Sequence, residues 1–242
     1  MTDFSLLSNQ IDSERKLVSF DSYDLTVRQI LDMYESGEIF VPPEYQRQFV
    51  WNETRQSELI ESVFLGIPIP NLFLAANKDA TWEVVDGVQR LSSIAHFVGT
   101  EGLLRKISCR DPLKITGLRK LAAMDRLFYS DLPRSMQLLF LTRPLRLTVL
   151  NDKSDLEVRY DLFERLNTGG VSLTNQEIRN CVFRGPFNES VKKLADNVDF
   201  RAVVKLKPID ATNGTKEEMV LRFFAFLYNY NNFEHSVEGF FE

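Results

Sequence analysis

The stretch Thr81-Trp82-Glu83-Val84-Val85-Asp86-Gly87-Val88-Gln89-Arg90-Leu91-Ser92-Ser93-Ile94-Ala95 decides the fold. Thr81 to Val85 is rich in β-branched and aromatic residues and has the length of one strand. Asp86-Gly87 turns the chain, after which Leu91, Ile94, Ala95 and Val98 recur at helical spacing. A strand that passes straight into a helix brings the helix N-terminus, with its unbonded N–H groups and positive dipole end, to the end of a sheet. Such a junction suits an anion. Gly87 allows a tight turn and close backbone approach. Arg90, one turn in, can add a charge-assisted bond to the same anion. Asp86 can hold Mg²⁺ through water or orient Arg90 at i+4. Gln89 can position a water, as glutamines do in some nucleotide hydrolases. The same residues also read without any ligand, because Asp86 and Gln89 have the spacing of a capping box and Arg90 is then an ordinary exposed helix residue.

Upstream, Leu72 to Ala75 reads as a partner strand, joined to the first by a turn at Asn77-Lys78-Asp79. A helix is expected over Asn52 to Leu65, capped by Asn52, with Leu59, Ile60, Val63 and Phe64 as its apolar stripe. Gly66 ends it and Ile67 to Pro70 is an extended connector. Earlier still, Leu17 to Phe20 reads as a short strand. Thr26 to Tyr34 reads as a helix capped by Asp24 or Thr26, with Val27, Ile30, Leu31 and Tyr34 on one face, and Phe40-Val41 as an extended piece.

Downstream, residues 101–143 read as short helices and loops, and Leu145 to Leu150 alternates as a strand. The pattern then turns helical. The helices expected are Asp155 to Leu166, Thr174 to Cys181 with a Thr174/Glu177 capping box, Phe187 to Ala195, and a long apolar helix opened by a second box, Thr215 with Glu218. Phenylalanine is abundant at 19, and its concentration in the last third predicts that this region is packed. The Phe-rich end, Phe233 to Glu242, has no evident stop, so the natural chain is expected to continue.

Composition excludes several classes. Hydrophobic residues are 44% and charged residues 26%, which permits a real core. A net charge of −5 excludes a wholly basic nucleic-acid clamp. Cys109 and Cys181 are too few for a disulfide framework and read as buried small apolar residues in a cytoplasmic protein. The N-terminal residues have no signal-peptide pattern, and no run reaches the roughly 18 apolar residues of a membrane helix. There is no Walker-type phosphate loop and no dinucleotide glycine fingerprint. With only His96 and His235, a His-dependent metal nuclease cannot be assembled from this chain, and His96 reads as packing.

Three further features carry chemistry. In Val41-Pro42-Pro43-Glu44-Tyr45-Gln46-Arg47-Gln48-Phe49-Val50-Trp51 a rigid Pro-Pro entry presents Tyr45, Gln46 and Arg47 at little entropic cost, and the Arg fork matches phosphate. Otherwise Tyr45, Phe49 and Trp51 are core and Arg47 is solvated. Phe163-Glu164-Arg165-Leu166-Asn167-Thr168-Gly169-Gly170-Val171 is a helix stop and tight turn whose glycines also admit a ligand. Arg105, Lys106, Arg110, Lys114, Arg119, Lys120 and Arg126 form a basic run, which is a solvated surface unless one face gathers them for DNA contact.

In this order, Tyr45-Gln46-Arg47 with Val50-Trp51, Leu59-Ile60-Glu61-Ser62, Ile67-Pro68-Ile69-Pro70, Asp86-Gly87-x-Gln89-Arg90 and Phe163-x-Arg165-Leu166-Asn167-x-Gly169-Gly170 resemble the GmrSD-type restriction endonuclease N-terminal domain family, of the ParB/sulfiredoxin superfamily. The resemblance spans roughly residues 20–185. It implies a role in defence against phage and modified DNA, nucleoside triphosphate hydrolysis tied to the Asp-Gly-Gln-Gln-Arg segment, and a nuclease in the same chain or a partner. Val88 replaces the first glutamine of that segment, which puts hydrolysis or base choice in question.

The expectation is therefore an α+β protein. A small mixed sheet with helices forms a ParB/sulfiredoxin-like nucleotide-binding domain over 17–150, and a helical extension over 151–242 completes the site. Asp86, Gln89 and Arg90 are the catalytic candidates. Tyr45, Gln46, Arg47, Trp51, Gly87 and Asn167 are the nucleotide ligands, with Mg²⁺ on Asp86 as cofactor. DNA, a nuclease subunit and a second copy of the chain are candidate partners. Two alternatives stay open: a sensor of nucleotide or modified DNA that hydrolyses nothing, and a metal-dependent nuclease acting through Asp86.

Overall fold

The computed structural model describes residues 4–16, 19–42, 51–151, 156–166, 174–207 and 213–232. The chain divides into two compact units, Met1–Asn167 and Thr168–Glu242. Among the described residues there are eleven α-helices and five strands, so the chain is α+β as its sequence predicts.

The first unit opens with α1 (Phe4–Lys16). Next come β1 (Phe20–Thr26), α2 (Val27–Ser36) and β2 (Ile39–Phe40). Then follow α3 (Glu53–Leu65), β3 (Leu72–Ala76), β4 (Trp82–Asp86), α4 (Val88–Val98) and α5 (Glu101–Lys106). Two 3₁₀ turns, Ala122–Met124 and Tyr129–Asp131, lead to α6 (Arg134–Leu141), β5 (Pro144–Leu150) and α7 (Leu156–Leu166). The strand order is β1-β5-β3-β4-β2. The pairs β1–β5 and β3–β4 are antiparallel, whereas β5–β3 and β4–β2 are parallel. Leu72, Leu74, Val84, Val85, Leu145, Leu147 and Val149 are buried along the central strands. The apolar faces of α2, α3 and α4 are buried as their periodicity predicts. Phe64, Phe97, Tyr129 and Phe140 form an aromatic cluster with ring centroids 4.9–6.4 Å apart.

The first strand departs from expectation. It runs over Phe20–Thr26 rather than Leu17 to Phe20, of which Leu17 and Val18 lie outside the described residues. Phe20 to Asp24 are all exposed on this edge strand, so no apolar alternation marked it. Its pairing with β5 holds it, aided by Arg146, which donates Nε and Nη2 to the two carboxylate oxygens of Asp24 at 2.9 Å. Asp24 thus belongs to the sheet edge. Thr26 caps α2, in a reciprocal box with Gln29.

The second unit comprises α8 (Asn175–Val182), α9 (Pro186–Ala195), α10 (Val198–Val203) and α11 (Thr215–Asn229). The Thr174/Glu177 box is present. The Thr215/Glu218 box is not. Gly214 is the N-cap of α11, Asn213 Oδ1 accepts from Thr215 N at 3.3 Å, and Glu218 pairs with Arg222. The glycine one residue earlier, at φ 81°, starts the helix before a threonine cap can form. Val191, Ala195 and Val220 make a small core with Phe200 and Phe224 packed against it. Phe187 and Phe223 stay 59% and 61% exposed, so the expected packing of the aromatic third holds only in part.

Candidate functional site

The strand-to-helix junction is built as its sequence predicts, but with different internal wiring. β4 ends at Asp86, and Gly87 is the N-cap of α4 at φ 109°. A Cβ on Gly87 would stand 2.4 Å from Leu72 Cδ2 and 3.4 Å from Arg90 Nη2. Only glycine fits, because the residue needs both a left-handed backbone and space beside β3. No side chain caps α4, which corrects the Asp86/Gln89 capping-box alternative. With Gly87 at positive φ as the N-cap, Asp86 lies one residue outside the capping position.

Arg90 is no ordinary exposed helix residue either. It is 8% exposed. Nη2 donates to Asp86 Oδ2 at 2.5 Å, and Nη1 donates to the carbonyls of Pro70 and Asn71 at 2.6 and 2.9 Å. Three of its N–H donors are therefore engaged in tying α4 to the end of β4 and the entry of β3. Asp86 is the accessible half of the pair, its side chain 39% exposed. Its Oδ1 takes no hydrogen bond among the described residues.

Gln89 reaches the other way. Its Oε1 accepts the backbone N–H of Trp51 at 3.1 Å. Gln56 Nε2 donates to the carbonyl of the same Trp51 at 2.7 Å, and the Arg55 guanidinium lies 4.4 Å from the Trp51 ring centre. Since Gln56 gives its NH₂ to Trp51, its Oε1 faces His96 Nδ1 at 2.8 Å. His96 Nε2 lies 2.9 Å from the Asp111 carbonyl. Burial pulls the His96 pKa below its ordinary value, opposed by the Asp111 carbonyl and the charge of Glu53. Trp51 ends the Tyr45-Gln46-Arg47 segment in sequence, so Gln89 and Gln56 fix where that segment leaves off. Gln56 had no signal in the sequence beyond its place on the buried side of a helix.

A second missed feature is Glu83, 1% exposed in the middle of β4. Its Oε1 accepts from Arg159 Nη2 of α7 at 3.3 Å, and the Arg159 side chain is only 11% exposed. A single carboxylate inside Trp82-Glu83-Val84-Val85 was the one hint, since buried charges are paired. The pair anchors the helix that leads to Asn167, and Phe163 on the same helix is fully buried.

Tyr45, Gln46, Arg47 and Asn167, with Gly169 and Gly170, lie outside the described residues. Of the proposed DNA contacts, Arg105, Arg110, Lys114, Arg119 and Lys120 are exposed, and Arg105 faces Glu101 at 3.9 Å. Lys106 is half-buried, its Nζ 5.6 Å from the Tyr34 ring centre. Cys181 is buried as expected, but Cys109 is only half-buried. Its thiol donates to the Ile107 carbonyl and burial raises its pKa. Among the described residues no three His, Cys, Asp or Glu gather as a metal site. No described helix is long and apolar enough to cross a membrane.

Residues 27–184 match a family model described as GmrSD restriction endonuclease, N-terminal domain. The match starts with α2, contains the whole Asp86–Arg90 junction and ends at Arg184, in the turn after α8. The chain matches no curated protein and no solved structure.

Proposed function

The chain belongs to the GmrSD restriction endonuclease N-terminal domain family and so to the components of restriction systems, and from that premise we propose that it binds and hydrolyses a nucleoside triphosphate. In this reading hydrolysis gates a nuclease domain or subunit that acts on foreign or modified DNA. The ParB/sulfiredoxin likeness rests on the sequence resemblance. The observation that carries the proposal is an accessible carboxylate, Asp86, held by a buried arginine beside an uncapped helix N-terminus.

The chemistry follows from that arrangement. The first-turn N–H groups of α4 favour phosphate oxygens. Asp86 would hold a Mg²⁺ ion, which would supply positive charge against the phosphates. Asp86 suits that ion, because Mg²⁺ is commonly held by one or two carboxylates plus substrate phosphates and needs no all-protein cage. Arg90 acts through Asp86 as a positioning residue, its bond to Oδ2 fixing a carboxylate that stays 39% exposed. Gln89 positions Trp51 and, through it, the end of the segment bearing Tyr45, Gln46 and Arg47. Those three and Asn167 are assigned to base, sugar and phosphate contacts on the strength of the sequence.

The test is phosphate release from ATP, GTP, CTP and UTP with Mg²⁺, with and without DNA. Asp86→Asn is the informative variant, since it keeps an acceptor for Arg90 while removing the charge. Turnover of at least one nucleotide, reduced a hundredfold or more (about 2.7 kcal/mol) in a normally folded Asp86→Asn protein, is the expected result. Full turnover in that variant sinks the assignment. A second reading, a nucleotide sensor without hydrolysis, is favoured by one observation. Gln89 Oε1 is engaged by Trp51, and Val88, in place of the family's first glutamine, is buried. Tight nucleotide binding without phosphate release selects it. Metal-dependent DNA nicking lost in Asp86→Asn selects the nuclease alternative.

A further inference from the structure

In the second unit, beyond the residues matched by the family, Phe200, Arg201, Val204, Lys205, Leu206 and Lys216 line a cleft of about 220 Å³. Arg201 sits on α10, Lys205 in the segment after it, and Lys216 in the first turn of α11. A chain of net charge −5 has carboxylates enough to pair its cations. Arg201, Lys205 and Lys216 have no ion pair among the described residues, although three cations that share a cleft repel one another. The nearby Asp199 and Glu217 do not line it. Cations gathered around a concavity focus a positive potential that draws anions.

The shape narrows the anion. The cleft is smaller than the roughly 300–1,000 Å³ of drug-sized sites, so it takes a phosphate-sized group and part of its neighbour rather than a whole nucleoside triphosphate. Phe200 is half-buried, one side packed on the Val191, Ala195 and Val220 core and part of it lining the cleft. Cations along a groove with an aromatic face between them are the elements used to hold a single strand, phosphates on the cations and a base against the ring. We infer that this cleft is a contact site for single-stranded nucleic acid, separate from the Asp86 junction and independent of the nucleotide reading given above.

The test uses the full chain and a labelled single-stranded DNA oligonucleotide of mixed sequence, read by fluorescence anisotropy across a salt series. Arg201→Gln, Lys205→Gln and Lys216→Gln are combined in one variant. For single strands the slope of log K against log salt changes by about 0.7 for each phosphate that the protein no longer neutralises. The triple variant should therefore bind at least tenfold more weakly, with a slope shallower by about 2. Phe200→Leu, which keeps the core filled, should weaken the single strand more than a duplex of the same sequence. Unchanged affinity and slope in a folded triple variant overturn the proposal. So does equal binding of the duplex, or displacement of the strand by inorganic phosphate at millimolar concentration, which would mark a free-phosphate site. Should the triple variant fail to fold, Lys216→Gln alone keeps the test, with an expected slope change of about 0.7. Phosphate release should not change in any of these variants.

Discussion

Gly87→Ala tests the junction at its narrowest point. Alanine must adopt φ 109°, outside its comfortable range, at a cost of about 1–2 kcal/mol. Its Cβ also lies 2.4 Å from Leu72 Cδ2, and overpacking of this kind costs about 1–3 kcal/mol. Together the substitution should destabilise the first unit by about 2–5 kcal/mol. Both tryptophans of the chain, Trp51 and Trp82, belong to that unit, so their fluorescence in urea reports it selectively. With a slope of about 2 kcal/mol/M the midpoint should fall by about 1–2.5 M. The two contributions separate in a Leu72→Val background, which removes Cδ2. There the cost of Gly87→Ala should shrink to the backbone share of about 1–2 kcal/mol. A loss under about 0.5 kcal/mol in the wild-type background, the range of an ordinary surface substitution, refutes the steric reasoning. An equal loss in both backgrounds refutes the clash with Leu72.

Arg159→Met should cost about 3–5 kcal/mol by leaving the Glu83 carboxylate buried without its cation. Adding Glu83→Gln should recover part of it, and thermal melts of the three variants decide the point. Gln89→Ala frees the Trp51 amide and should shift tryptophan emission to the red without unfolding α4; an unchanged spectrum argues that Gln56 alone holds Trp51. Because the folded state lowers the His96 pKa, the unfolded chain binds more protons between the two values. The His96 contribution to stability is thus complete above about pH 6.5 and is lost as the pH falls through the lowered folded value. His96→Asn should flatten that part of the urea midpoint's pH dependence, and an unaltered profile would assign the dependence to other groups. Asn52→Ala removes the bond from Arg55 N to Asn52 Oδ1 and should cost about 1 kcal/mol, read in the same urea assay.

Elements with one wet and one dry face were legible. The stripes of α2 and α3, the β3–β4 hairpin and the strand-to-helix junction all follow from periodicity and turn chemistry, because half-burial imposes a period on the sequence. β1 was not legible, because an edge strand wet on both faces carries no such period, and its partner β5 lies more than a hundred residues away. The same holds for the site. The Asp86/Arg90 pair follows from i,i+4 spacing, but the Pro70 and Asn71 carbonyls that bury Arg90 belong to another part of the chain. On local grounds Gln89 faces solvent and a water, yet it holds the Trp51 amide, a bond across 38 positions that no local rule provides. Both capping boxes that fail to form, at Asp86 and Thr215, do so because a glycine at positive φ sets the helix start.

The sheet order β1-β5-β3-β4-β2 also bears on how the protein is made. The second strand in the order is the last of the five to be synthesised, and it joins β1 to β3. Until Leu150 has left the ribosome, the β3–β4 hairpin lacks its partner and β1 is a loose polar segment. At about 5–20 residues per second, that interval is on the order of ten seconds. During it β3 has β4 as its one sheet neighbour and β4 has only the two-residue β2 on its other side, so a ribosome stalled before Pro144 holds a nascent chain exposed to chaperones and proteases.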